Sequence, residues 1–171
     1  VPADPGICSL PALVTAHFSQ NHLTGTVPSC LDAISNLEFL RMSDNMLTGP
    51  LPDGVITSQS LWQVELDRNQ LSGQLPLASF RRPEGVSLYV DFSWNLFSGA
   101  IADNFSANCF WEAIIIGEND LTGSLPDTLS LGGTRLATLD MSNNYFMGSL
   151  PPSFAQFSMI SNLLLNGNFI S

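Results

Sequence analysis

The chain has 171 residues, a formal net charge of −10 at pH 7, and 44% hydrophobic against 12% charged residues. Its basic residues are all arginines (Arg41, Arg68, Arg81, Arg82, Arg135), too few and scattered for the clustered phosphate neutralisation that nucleic acid or anionic lipid demands. The apolar content supports a buried core and excludes disorder, and no apolar run reaches the ~18 residues of a membrane span, so no direct membrane insertion is expected in this segment.

One phrase recurs along the chain: NHLTGTVP from Asn21, NMLTGPLP from Asn45, NQLSGQLP from Asn69, NLFSGAIA from Asn95, NDLTGSLP from Asn119 and NYFMGSLP from Asn144, with a shortened copy from Asn168. Successive asparagines lie 24, 24, 26, 24, 25 and 24 positions apart by residue number. Apolar residues stand eight, five and three places upstream, as Leu13/Ala16/Phe18 and Leu37/Leu40/Met42 open the series and Ile160/Leu163/Leu165 closes it. The fourth copy has Ser87 in its outer slot beside Leu88, then Val90 and Phe92. The five-and-three pair is period-two alternation and predicts a short strand with one buried face; a glycine-containing turn then closes each coil. Identical coils predict a stacked solenoid with a continuous core.

The pattern L-x-x-L-x-L-x-x-N-x-L, extended by L-T/S-G-x-L-P with a period of 24, resembles the plant-type leucine-rich repeats. That class includes ectodomains of receptor-like kinases, inhibitors of cell-wall polygalacturonases, and algal and protist surface proteins. The resemblance implies a leucine-rich-repeat solenoid of about seven coils, with a parallel sheet on its concave face and short irregular convex segments. One domain over 1–171 is expected, with 1–11 as a partial N-terminal cap. The final copy stops mid-phrase at Ser171, which predicts a missing C-terminal cap and a fragment of a longer protein. Asn21, Asn45, Asn69, Asn95, Asn119, Asn144 and Asn168 are assigned a structural role, because an inward amide both donates and accepts.

Local departures qualify the regularity. The 26-residue interval places extra residues around Phe80–Gly85, an expected convex loop, and Ala102 and Met147 replace the usual proline and Thr/Ser. A bulge or looser coil near the fourth repeat follows. Cys8 and Cys30 are one coil apart; they form either a bridge like the one that staples the start of many extracellular repeats, or two free thiols. Cys109 is too far from both to pair with them. Asn104-Phe105-Ser106 is a glycosylation sequon. With the repeat class it points to an extracellular or cell-surface protein.

Outward positions between the buried strand residues carry Glu38, Asp44, Glu65, Asp67, Asp91, Glu112, Glu118 and Asp140, eight of the 15 carboxylates. The same face holds Phe39, Trp62, Tyr89 and Trp94, exposed rings of the kind that anchor interfaces. Phe39, Arg41, Trp62, Glu65, Asp67, Tyr89, Asp91 and Trp94 are therefore the candidate partner-binding residues, for a basic protein surface, a peptide or a glycan; a solvated acidic face is the alternative. Glu65 and Asp91 share a column and form a close carboxylate pair able to raise one pKa or hold calcium. No cofactor is called for, no metal site is assigned, and catalysis finds no base beside an activated nucleophile: His17 and His22 sit in the first coil with only Ser19 and Ser43 near. The expected function is a non-catalytic extracellular interaction module. The alternatives are a structural component of a surface or wall assembly, then glycan binding, then ice binding through the broken column Thr24, Thr48, Ser72, Ser98, Thr122, Met147, Ser171.

Overall fold

A computed structural model describes residues 6–81, 83, 85–105, 110–132 and 135–171. Upstream of each asparagine the alternating residues form β1 (Thr15–His17), β3 (Phe39–Arg41), β5 (Gln63–Glu65), β7 (Ser87–Asp91), β9 (Phe110–Ile115), β11 (Thr138–Asp140) and β13 (Asn162–Leu164). Downstream of it lie β2 (Thr24–Gly25), β4 (Met46–Gly49), β6 (Gln70–Gly73), β8 (Leu96–Ala100), β10 (Asp120–Ser124), β12 (Tyr145–Gly148) and β14 (Phe169–Ile170). Each strand pairs in parallel with its counterpart one coil away, giving two seven-stranded sheets. The solenoid is the one expected; the second sheet is not. Its strands stand where the repeat phrase reads as a turn, because N-x-L-T also alternates: Leu47, Leu71, Phe97, Leu121 and Phe146 point inward while Thr48, Ser98 and Thr122 point out. At Gly49 the backbone reaches φ 84°, a conformation that ends the strand and that only glycine adopts without strain.

The core runs between the sheets. Leu40, Val64, Val90, Ile114 and Leu139 of the first face Leu47, Leu71, Phe97, Leu121 and Phe146 of the second. Short turns close the convex side, among them α1 (Asp53–Thr57), α2 (Leu129–Gly132) and a 3-10 turn at Leu77–Ser79. In the first and last coils described, Phe18 and Leu163 are about 40% exposed.

The asparagines hold the coils in register. Asn95 Nδ2 donates to the carbonyls of Leu66, Phe92 and Ser93 at 3.0–3.2 Å, and its Oδ1 accepts from the Leu71 N–H at 2.9 Å. Asn45, Asn69, Asn119 and Asn144 repeat this arrangement, each bonding both its own turn and the coil before it. Asn168 keeps most of these bonds while partly exposed, and exposed Asn21 donates to the Phe18 and Ser19 carbonyls.

Two sequence expectations need correction around the fourth coil. Leu88, at 0% exposure, fills the outer slot, and Ser87 does not. Coil four therefore has one residue (Tyr89) between its buried outer and middle positions where coil five has two (Glu112, Ala113), and the register shifts there: Leu88 pairs with Trp111 but Tyr89 with Ala113. The expected irregularity is thus a strand bulge. Phe80, placed in a convex loop, is fully buried, its ring edge-on to Trp111 at 5.6 Å between centroids. Arg82, Glu84, Ser106 and Cys109 lie outside the described residues.

Cys8 and Cys30 form a disulfide with Cα atoms 6.1 Å apart. By loop entropy a crosslink over this span contributes about 3 kcal/mol. The double variant Cys8→Ser/Cys30→Ser is expected to lose that amount in urea unfolding, and a loss under about 1 kcal/mol would refute the bridge as a stabiliser.

Candidate functional site

Outward side chains of β3 and β5 meet across the strand ladder, since Phe39 lies opposite Gln63 and Arg41 opposite Glu65. The Phe39 and Trp62 rings touch at 4.5 Å between centroids with a 58° tilt. Trp62 Nε1 donates to Glu38 Oε2 at 3.2 Å. The Arg41 guanidinium lies 5.2 Å from the Phe39 ring, donates to Gln63 Oε1 at 3.0 Å and pairs with Glu65 at 3.5 Å. Arg41 is thus spent inside the patch, fixing Phe39 and Glu65 in place, and contributes little free positive charge to the face.

One coil on, the carboxylates outnumber the cations. Asp91 lies opposite Glu65 in the ladder, as the shared column predicts. Burial, then the neighbouring Asp67 and Glu65 charges, push its pKa up, against two bonds accepted from Ser93 at 2.6 and 3.0 Å that lower it. Tyr89 stands beside this group; burial first, and then Asp91, Glu65, Asp67 and Glu112, raise its phenol to about 12. Asp67 also bonds the Ser43 hydroxyl and sits 3.8 Å from Arg68.

These shifts have measurable consequences. In a Tyr145→Phe variant the one remaining tyrosine is expected to ionise near pH 12 in ultraviolet difference titration; a midpoint near 10 would show that the ring does not sit among these carboxylates. Asp91 is an acid whose folded pKa is raised, so the folded state holds its proton where the unfolded chain has released it. Stability is then greatest below the unfolded value of about 3.9 and falls as pH rises through the folded one. Asp91→Asn is expected to remove that decline in urea midpoints between pH 3 and 7 (approximate limits set by the same carboxylate range).

Trp94 stands apart from the other three rings. It lies in the position just before the asparagine, where Gln20, Asp44, Arg68, Glu118 and Asn143 also have φ between 50° and 59° and Gly167 has φ 70°. A left-handed tryptophan is costly, yet Trp94 is 54% exposed, its ring 5.8 Å from the Arg68 guanidinium. Phe39, Trp62 and Tyr89 are half-buried, and the sequence reading of four freely exposed rings is corrected to three seated rings and one protruding one. The structure draws in Glu38, Gln63, Arg68 and Glu112, which sequence reasoning left out of the site. All are outward strand-face or ridge positions, a signal available from the repeat register alone. Among the described residues no group of three or more His, Cys, Asp or Glu is placed to hold a metal ion. No helix among them is long and apolar enough to cross a membrane.

Two stacked parallel sheets with an asparagine-bonded turn in every coil define a repeat solenoid whose one broad sheet face is open for contact. Residues 36–57 and 135–157 match the leucine-rich repeat family, and the chain is a leucine-rich-repeat protein of the plant type. Among solved structures it is similar to the ectodomain of the Arabidopsis receptor kinase HAESA in complex with the peptide hormone IDA and the co-receptor SERK1: 26% identity, TM-score 0.82, covering 100% of this chain and 28% of that one. A plant ice-binding protein is similar at 27% identity and TM-score 0.78, over 96% of this chain and 52% of that one. A chain of the Arabidopsis BIR3–SERK2 complex reaches 30% identity at TM-score 0.57, over 72% of this chain and 64% of that one. The present chain therefore spans between about a quarter and two thirds of these structures. No curated protein matches it.

Proposed function

We propose that the chain is an extracellular, non-catalytic recognition module that binds a basic peptide or protein surface on its concave face. Phe39, Arg41, Trp62, Glu65, Asp67, Tyr89, Asp91 and Trp94 make the contacts. The observation that carries this reading is the joining, on three adjacent coils, of a seated aromatic group with carboxylates that exceed their cations. Trp94 adds to it, because an exposed ring held in a strained backbone is retained where it serves a contact. The similarity to a receptor ectodomain crystallised with a peptide hormone supports a peptide-sized partner. The Cys8–Cys30 disulfide supports an oxidising compartment, and exposed Asn104 of the sequon is a glycan acceptor there. Peptide display against the immobilised chain tests the reading: selected sequences should be rich in Arg and Lys and weaken with salt. Selection of neutral or acidic peptides, or of none, would overturn it.

Ice binding is a second reading, supported by the similarity to a plant ice-binding protein and by the outward hydroxyl column Thr24, Thr48, Ser72, Ser98 and Thr122 on the second sheet. The column is less flat than an ice plane asks, since Met46 and Leu96 protrude beside it at 39% and 52% exposure and Met147 interrupts it. Thermal hysteresis lost in Thr48→Tyr/Thr122→Tyr would establish this reading, and no hysteresis would remove it.

A further inference from the structure

Away from the concave face, an open groove of about 420 Å³ runs along the flank where the left-handed ridge meets the second sheet. Its walls include Leu96, Glu118, Asp120, Asn143, Tyr145 and Phe169. The Tyr145 and Phe169 rings stack at 6.2 Å between centroids and 21° between planes, and both are exposed, at 49% and 66%. At the ridge end, Gly167 keeps the wall low: a Cβ there would come within 2.0 Å of Asn143 Oδ1.

The charged groups of this groove are all carboxylates. Asn95, Asn119 and Asn144 also line it, but their amides are committed to backbone carbonyls. Asn143 Nδ2 donates to Glu118 Oε1 at 2.6 Å, which uses one of its two N–H groups and orients the Glu118 carboxylate. The second oxygen of Glu118 and both oxygens of Asp120 accept only, and among the described residues no Arg, Lys or His lines the groove. A sugar, whose hydroxyls both donate and accept, would find few donors here beyond the Tyr145 hydroxyl and the second Asn143 N–H. A guanidinium fits on each count: it has five N–H donors and no acceptor, stacks flat on an aromatic ring, and forks onto carboxylates. Its aliphatic stem would lie along Leu96.

We propose that this groove receives an arginine side chain of a peptide or protein partner, with Tyr145 as the stacking platform and Glu118 and Asp120 as the carboxylate pair. The site is separate from the concave face and stands or falls without it.

N-acetyl-arginine methylamide, titrated into the full chain while the Tyr145 and Phe169 ring signals are followed by NMR, is the direct test. Saturable shifts of both rings are expected. They should weaken at least tenfold in Glu118→Gln/Asp120→Asn and persist in Trp62→Ala/Tyr89→Ala, with N-acetyl-lysine methylamide weaker throughout. Circular dichroism of the carboxylate variant should match the wild type, since Asp120 is exposed and outside the core. Absence of ring shifts, an equal response to the lysine probe, shifts retained in the carboxylate variant, or shifts produced by cellobiose in place of the arginine probe would each overturn the assignment.

Discussion

Replacing Asn95 with alanine should remove about 4 kcal/mol of stability, a large share of the roughly 5–15 kcal/mol of a typical domain. The side chain is 6% exposed and serves four backbone groups: the carbonyls of Leu66, Phe92 and Ser93 and the Leu71 N–H. The Leu71 N–H loses its Asn95 acceptor, and a buried donor left in that state costs about 1–3 kcal/mol; the three carbonyls each lose one donor while keeping Asn69 Nδ2, Asn119 Nδ2 and the Arg68 N–H, and the volume removed between the coils adds the rest. The bonds also cross from the coil of Asn95 to the one before it, so their loss weakens the nearest-neighbour coupling on which a solenoid depends. Asn95→Asp is the sharper variant. It keeps the shape and the acceptor but turns a carboxylate oxygen toward three carbonyls, so it should be no better tolerated than alanine near neutral pH. Exposed Asn21, with two donated bonds, sets the scale from the other end, and its alanine variant should cost under about 1 kcal/mol. Urea midpoints give all three; equal losses at Asn21 and Asn95 would sink the argument.

The same repetition that makes Asn95 important made the solenoid readable. Seven copies of one phrase report the same local energetics seven times, so the inward leucines, the glycine turns and the stacked strands could be assigned without any long-range contact. Legibility failed where copies diverge. Ser87 stood at the expected spacing, but Leu88 is the residue that can be buried, and hydrophobic burial overrode spacing, leaving one residue in place of two between the buried outer and middle positions. Phe80 is similar: a convex loop was expected from chain length, and its ring is nonetheless buried edge-on against Trp111. The second sheet was missed for a different reason. A segment of two to five residues that alternates in and out looks the same as a turn until its neighbours are stacked on both sides.

The candidate face was legible as a set of outward columns and illegible as a set of pairs. The shared column predicts that Glu65 neighbours Asp91, and the structure has that pair; the same register also sets Arg41 opposite Glu65. Nothing in the sequence says that Arg41 would turn back onto Phe39, or that Trp62 would reach Glu38, because these depend on side-chain rotamers. The ridge position before each asparagine was read as part of the strand face. Its left-handed backbone sets it apart from the strand, and two of these ridge residues, Glu118 and Asn143, line the flank groove beside Tyr145.

If the concave face is the working surface, Trp62→Ala/Tyr89→Ala should weaken the best peptide from the display selection more than about hundredfold, since anchoring rings each contribute about 2 kcal/mol or more. The fold should survive. Both rings are half-buried and point away from the core, and the bonds lost are the Trp62–Glu38 hydrogen bond and the contact with Phe39. A charge variant, Glu65→Gln/Asp91→Gln, separates the two parts of the mechanism. The rings hold a bound peptide, so their loss acts on dissociation; the carboxylates draw a basic peptide in, so their loss should slow association and flatten its dependence on salt. Surface plasmon resonance at low and high salt reads both rates. A double alanine variant with unchanged dissociation would mean that the rings are merely packed against the sheet and that the acidic face is a solvated one. The remaining contact surface would then be the flank groove, whose arginine test uses different residues.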